Sequence, residues 1–359
     1  MNKSRVRFHM FVFVLLAALF LTSAVGAAPK VGPVVSLSVA QSEFGSAQDV
    51  LVTVTVSNPH KQTVRVLKWF TAAEGVEEPL FAVTRDGEPV PYIGAHYKRP
   101  AVTGKDYISL KAGQSISHTV SLAEYYDLSQ SGHYEVFYAV ASSQLFDEKG
   151  SASATRDNLI SEKVSFRAEG RAPKGKPTQP PPPPPGGNSF NACTVDQQDL
   201  LVSARNQAAA YANNAKTYLN SHNSGTPRYL EWFGAYTSAR YNIVKGNFDN
   251  IARDMAVDMT GAGITFDCKC KQPYYAYVYP NQPYNIYLCK VFWQAPLSGT
   301  DSKAGTLIHE MSHFDVVAGT DDVVYGQAGA RNLADTDPDA AITNADSHEY
   351  FAENTPPLP

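Results

Sequence analysis

No run of basic residues and no RNA-binding signature occurs in this 359-residue chain, whose formal net charge at pH 7 is -4. Nucleic-acid binding needs a positive footprint against the phosphates, so a polyanion partner is disfavoured. Long apolar runs are also scarce. Beyond Leu21 no segment offers the roughly eighteen uninterrupted apolar residues that span a bilayer, so no stable membrane association is expected. No cysteine stands near the end of the N-terminal apolar segment to carry a lipid, and no internal repeat is found. Cysteine itself is sparse: Cys193, Cys268, Cys270 and Cys289, all in the C-terminal half.

What is present is a globular balance, 43% hydrophobic and 18% charged, over a length that implies two folded units. Lys3, Arg5 and Arg7 precede an apolar run from Met10 to Leu21, followed by the small residues Ser23, Ala24, Gly26, Ala27 and Ala28. That order is a secretory signal peptide over residues 1–27, which predicts a secreted, extracellular product. A retained N-terminal anchor is the alternative. In an oxidising compartment four cysteines predict two disulfides. A Cys268–Cys270 bridge would strain a two-residue loop, which favours Cys193 with Cys268 and Cys270 with Cys289. A metal site on the Cys-x-Cys pair is the competing reading.

From residue 28 to 171 short alternating runs such as Leu51-Val52-Thr53-Val54-Thr55-Val56 are separated by turn residues, which predicts an all-β sandwich. The stretch from Asp127 to Tyr134 is similar to the tyrosine corner of immunoglobulin-type sandwiches. Residues 172–188 form a linker around the unbroken run Pro180 to Pro185, whose extended geometry would hold the flanking domains apart. Beyond it, 189–359 reads as an α+β domain. Asp196 to Asn220 and Tyr229 to Met259 have the spacing of two long helices, and short aromatic-rich runs near residues 264, 275 and 285 read as strands. A helix from Ser302 to about Val317 and a last one from about Asp346 complete the pattern.

The segment His309-Glu310-Met311-Ser312-His313 carries the chemistry. Positions four apart on a helix differ by about 40 degrees around its axis, so His309 and His313 share a face and can bind one ion. Glu310 beside them can reach a water on that ion. The bland alternative is an ordinary pair of surface histidines. A catalytic zinc needs a third protein ligand. A histidine six residues after His313 would be one arrangement, but Gly319 stands there; Glu349 and Glu353 are rather far along the chain for another.

What does follow is Gly319-Thr320-Asp321-Asp322-Val323-Val324-Tyr325-Gly326, and with the helix motif it resembles the aspzincin, deuterolysin-like zinc metallopeptidases. The resemblance implies a zincin-type catalytic domain with one Zn2+ held by His309, His313 and Asp322, Asp321 being the neighbouring rival. It implies that Tyr325 donates to the developing oxyanion while Glu310 serves as general base. The stretch Asn344 to Asn354 is similar to the C-terminal signature of the peptidyl-lysine metalloendopeptidase branch, in which Asp346 and Glu349 would line a pocket for a lysine side chain. The four-cysteine pattern fits the same branch. This likeness runs from about Phe190 to Pro359.

A different role for Asp346 and Glu349 is a capping box at a helix start. Ten acidic residues against one basic residue between Ala304 and Pro359 would attract a cationic substrate, although such a bias commonly marks a solvated surface. The expectation is thus a secreted zinc endopeptidase cutting on the N-terminal side of lysine in protein or peptide substrates. Its N-terminal half would be a pro-region and intramolecular inhibitor, with Lys98 or Lys105 entering the acidic pocket and Lys174 or Lys176 as self-processing points. The alternatives are a broader deuterolysin-like endopeptidase, or a secreted binding protein with a zinc site but no turnover.

Overall fold

The computed structural model describes residues 32–73, 75–140, 159–172 and 182–359. The expected signal peptide and residues 173–181 of the expected linker, with Lys174 and Lys176, lie outside the described residues.

The N-terminal half is β-rich. Strands β1 (Val34–Val39), β3 (Leu51–Ser57) and β9 (Ser115–Ser121) form one antiparallel sheet. A second sheet runs β2 (Glu43–Phe44), β12 (Val164–Ala168), β10 (Gly132–Val140), β5 (Phe81–Arg85) and β6 (Glu88–Pro89), with β11 (Leu159–Ile160) beside β10. A pair, β4 (Val64–Leu67) with β8 (Tyr107–Leu110), completes it among the described residues. Successive strand residues face opposite sides. Val52, Val54 and Val56 of β3 therefore enter a core with Tyr134, Val136, Tyr138 and Phe166, while Thr53 and Thr55 pair outside with Thr119 and Ser117. The Tyr134 hydroxyl donates back to the Gln130 carbonyl, closing the corner that leads into β10.

The C-terminal half packs helices against a mixed sheet. Helix α1 (Val195–Ser221) begins at Thr194, whose side chain and that of Gln197 satisfy each other's backbone amides. The single helix expected over Tyr229–Met259 is instead two, α2 (Pro227–Phe233) and α3 (Ser238–Met255). Gly234 breaks it at a left-handed φ of 72°, and a Cβ there would meet the Ala334 carbonyl oxygen at 1.9 Å, so a contact distant in sequence ends the helix. Two disulfides join Cys193 to Cys268 and Cys270 to Cys289.

The sheet order is β13 (Asn188–Asn191), β14 (Ile264–Asp267), β16 (Asn285–Leu288), β15 (Ala276–Val278) and β7 (His96–Lys98). The last of these comes from the N-terminal half. It pairs antiparallel with β15, Lys98 opposite Ala276 and His96 opposite Val278. The linker therefore does not hold the two halves apart. The physical reason is that β15 would otherwise be an edge with unpaired backbone groups, which β7 covers. The end of the expected linker is also fixed: Gly186 donates to Gly261, and the buried Arg205 guanidinium donates to the carbonyls of Gly187, Ala256 and Ala262.

Short helix α4 (Lys290–Gln294) leads to α5 (Lys303–His313), every residue of which is buried. Ser302 caps α5 by accepting from the Gly305 amide. Helices α6 (Gly326–Thr336), α7 (Pro338–Ala341) and α8 (Ala345–Glu353) follow, α8 also being buried throughout. A Cβ at Gly305 would meet Glu353 Oε1 at 2.1 Å and Glu349 Oε1 at 2.9 Å. Glycine at that position is what lets α5 and α8 lie so close.

Candidate active site

Helix α5 presents both histidines to one point, with His309 Nε2 and His313 Nε2 3.1 Å apart. The chain leaves α5 at Phe314 and turns back through Gly319, at a left-handed φ of 57°. The turn brings Asp322 Oδ1 to 3.1 Å from His309 Nε2 and 3.5 Å from His313 Nε2. Asp321 is exposed and its backbone pairs with Asn344 instead. Tetrahedral zinc with bonds of about 2.0 Å has ligand atoms about 3.3 Å apart, so this donor set fits that ion.

Both imidazoles are oriented from behind. His313 Nδ1 lies 2.7 Å from the Thr320 carbonyl, and His309 Nδ1 lies 2.8 Å from Asp346 Oδ1. The Thr320 carbonyl accepts from His313 Nδ1 and the Asp346 carboxylate lies against His309 Nδ1, so each Nε2 is the atom turned to the shared point and its lone pair is left for a metal. Burial works against charge on Asp322, yet His313 and His309 hold its carboxyl well below the ordinary range. Glu310 is fully buried, and neither of its carboxylate oxygens has a hydrogen-bond partner among the described residues. Burial pushes it up to about 7, with His309 and His313 pulling the other way. A buried carboxylate without a partner is costly unless something polar comes to it, and beside three metal donors a metal-activated water is such a group.

Asp346 and Glu349 do not cap α8. Asn344 is the capping residue, its Oδ1 accepting from the amides of Val323 and Val324 and so shaping the loop that carries Asp322 and Tyr325. Asp346 Oδ2 accepts from the Gly326 amide at 2.6 Å. Between the two carboxylates sits the ammonium of Lys98, fully buried, 3.3 Å from Asp346 Oδ1, in contact with Glu349, and 3.7 Å from Asp301 Oδ1. Rings of Tyr275 and Tyr350 flank it at 5.0 and 5.7 Å. Burial opposes its charge, but Asp346, Glu349 and Asp301 together hold it well above the usual lysine range. Lys105 is exposed in a short 3-10 turn, Gly104–Asp106.

Other residues around Lys98 face the same centre. The Tyr97 amide donates to Asp322 Oδ2 at 2.9 Å. The His96 ring lies 4.8 Å from that of His313, and burial, followed by His313, brings its pKa down to about 3. Tyr325 is buried, its hydroxyl donating to Glu78 Oε1 at 2.8 Å and accepting from Arg99 at 2.5 Å. Burial raises Glu78 to about 8, with Arg99 drawing it down. The sequence carries no signal for His96, Glu78, Arg99 or Asp301, because each meets the site across a contact between segments far apart in the chain. Asn344 is visible in sequence only as the first residue of the C-terminal signature stretch, with no sign of its role in shaping the Asp322 loop.

Residues 218–353 match the Aspzincin_M35 family model, described as lysine-specific metallo-endopeptidase. An extracellular protease from Aeromonas hydrophila is 46% identical over 317 residues, covering 87% of this chain and 90% of that protein. The likeness to known proteins therefore reaches into the N-terminal half and does not stop at Phe190. A peptidyl-Lys metalloendopeptidase from Pleurotus ostreatus is 51% identical over 171 residues, which is 47% of this chain and 99% of that protein. A solved zinc peptidase from Grifola frondosa is 44% identical, covers 46% of this chain and 100% of its own, and superposes with a TM-score of 0.44. Among the described residues no helix is long and apolar enough to cross a membrane.

Proposed function

The chain belongs to the aspzincin M35 family and is a zinc metalloendopeptidase, and from that premise we propose that it is exported as a latent precursor and cuts on the N-terminal side of lysine. The observation that carries this reading is Lys98 seated between Asp346 and Glu349. A peptide can add a strand to an exposed sheet edge, and β7 does so on β15 with a lysine in the acidic pocket. A substrate following the same course would place its own lysine there.

One zinc per catalytic domain would be held by His309, His313 and Asp322, and when bound it supplies the Lewis acidity that activates a water and polarises the peptide carbonyl. Glu310 takes the proton of the attacking water and delivers it to the departing amine, so no covalent enzyme adduct forms. Tyr325 donates its phenolic hydrogen to the carbonyl oxygen as negative charge develops there. Asp346 and Glu349 pair with the substrate ammonium, and Asp346 also steadies His309.

The N-terminal half, which we read as an immunoglobulin-like sandwich with its corner at Tyr134, is the inhibitor. It fills the lysine pocket and engages Tyr325 through Glu78 and Arg99. A cut near Lys174 or Lys176 would free the catalytic half, and a relative matched along its whole length by about half of this chain supports that division. Export is supported by the signal-like residues 1–27 and by the relative named an extracellular protease.

Removing one partner of a buried ion pair costs about 3–5 kcal/mol, a weakening of roughly two to four powers of ten. Lys98→Met in the full chain should therefore raise the activity measured before any cleavage, and digests should show lysine enriched at the new N-termini. Glu310→Ala should abolish these digests and keep the zinc. Unchanged latency in Lys98→Met, or new N-termini without lysine, would overturn the corresponding half of the reading.

A further inference from the structure

Side chains two apart on a strand point to the same face, so β7 sends His96 and Lys98 the same way, toward α5 and α8. Lys98 reaches the acidic pocket, and His96 reaches the histidines. One ligand atom from each of His96, His313 and Asp322 lies within 4.8 Å of the others, all three side chains being buried. The Nδ1 of His96 has no hydrogen-bond partner among the described residues. The Tyr97 amide, between the two side chains, donates to the same carboxylate, which pins β7 at this height above the centre.

From this arrangement we infer that in the uncleaved chain His96 is a fourth zinc ligand, completing the set of His309, His313 and Asp322 and occupying the position that the attacking water needs. The inference rests on reading the site as a zinc centre covered by the N-terminal half. Its chemistry is that of the two kinds of zinc site. Three protein ligands leave a position open for catalysis, whereas four protein ligands close the site and make it structural. A closed shell also explains how β7 lies along the cleft in the manner of a substrate, with its Tyr97–Lys98 bond on the N-terminal side of the seated lysine, and yet persists. Burial of Lys98 alone would bind the strand without protecting it. Removal of the N-terminal half would withdraw His96 and open the position in the same event.

The test uses the full chain in a Glu310→Gln background, which prevents self-cleavage, loaded with zinc and with cobalt. X-ray absorption at the zinc edge should count three imidazoles in the precursor and two after an added protease removes the N-terminal half. His96→Phe, which keeps a ring but has no nitrogen, should lower the precursor count to two and shift its cobalt visible spectrum toward that of the separated enzyme. Chelator should strip zinc from the His96→Phe chain roughly 10- to 100-fold faster, at least the scale on which outer-shell partners act. With Glu310 restored, His96→Phe should cut itself between Tyr97 and Lys98. A precursor with two imidazoles on the zinc, unchanged by His96→Phe, would overturn the inference and leave the lysine-pocket reading standing. Zinc absent from a folded precursor, or held there without His309 and His313, would instead overturn the zinc-centre reading beneath it. Comparing uncleaved and cleaved wild-type chains needs no substitution, so a misfolded variant leaves the question answerable.

Discussion

Oδ1 of Asp346 stands 2.8 Å from His309 Nδ1 and 3.3 Å from Lys98 Nζ, so one carboxylate oxygen touches both the zinc-motif helix and the lysine in the pocket. Glu349 also contacts Lys98, but its nearer oxygen is 3.5 Å from His309 Nδ1. The pocket that would read the substrate and the shell that would steady a metal ligand are therefore not separate parts.

Asp346→Asn and Glu349→Gln should consequently fail in different ways. Loss of an outer-shell partner typically costs 10- to 100-fold in metal affinity. Asp346→Asn should show a zinc affinity lower by roughly that factor together with a weaker preference for lysine, whereas Glu349→Gln should lose the preference and keep most of its zinc. Competition against a chromophoric chelator and digestion of a mixed peptide pool measure the two effects. Equal zinc affinities in both variants would show that Asp346 does not support His309.

The parts of this site that are readable in sequence are those made within one stretch of chain. His309 and His313 are one helical turn apart, so spacing alone puts them on one face, whereas the choice of Asp322 over Asp321 beyond the turn at Gly319 comes from the family resemblance. Lys98 could be suspected because a lysine-directed pocket needs a lysine to close it, but the sequence did not separate it from Lys105, which lies exposed elsewhere. His96, Glu78 and Arg99 were invisible because they depend on a strand of one half joining a sheet of the other, over separations such as the 225 residues from Tyr97 to Asp322. The broken helix at Gly234 escaped for the same reason, since its cause is the Ala334 carbonyl on α6.

Tyr325 should matter to turnover and not to substrate capture. Its hydroxyl is engaged by Glu78 and Arg99 in the full chain and would be released to a substrate carbonyl when the N-terminal half departs. Removal of one oxyanion donor lowers kcat by about 10²–10³. Tyr325→Phe in the cleaved enzyme should show a loss on that order with KM for a lysine peptide little changed. Steady-state kinetics decide the matter, and an unaltered kcat would assign Tyr325 to packing against Trp69, its edge-to-face neighbour at 6.2 Å.

His348 predicts an acid sensitivity separate from the zinc chemistry. It is fully buried between Phe233 and Phe248, with Nδ1 2.9 Å from the Asn344 carbonyl and Nε2 3.0 Å from the Asn247 side-chain amide. Both ring nitrogens are satisfied in the neutral form, Nδ1 donating and Nε2 accepting. Burial lowers its pKa to about 4 from an ordinary 6.5, with the hydrogen bond to the Asn344 carbonyl pulling the other way. Above pH 6.5 neither the folded nor the unfolded chain holds this proton, and His348 makes stability independent of pH. Between 6.5 and 4 only the unfolded chain binds it, so stability falls as pH falls, by about 3 kcal/mol across the window, and below 4 both forms are protonated and the loss stops growing. Denaturant unfolding of the full chain across this range, compared with His348→Gln, checks the sign and the size. The variant should be less stable than wild type near pH 7 and approach it toward pH 4. A difference between the two proteins that stays constant with pH would show that His348 titrates normally in the fold.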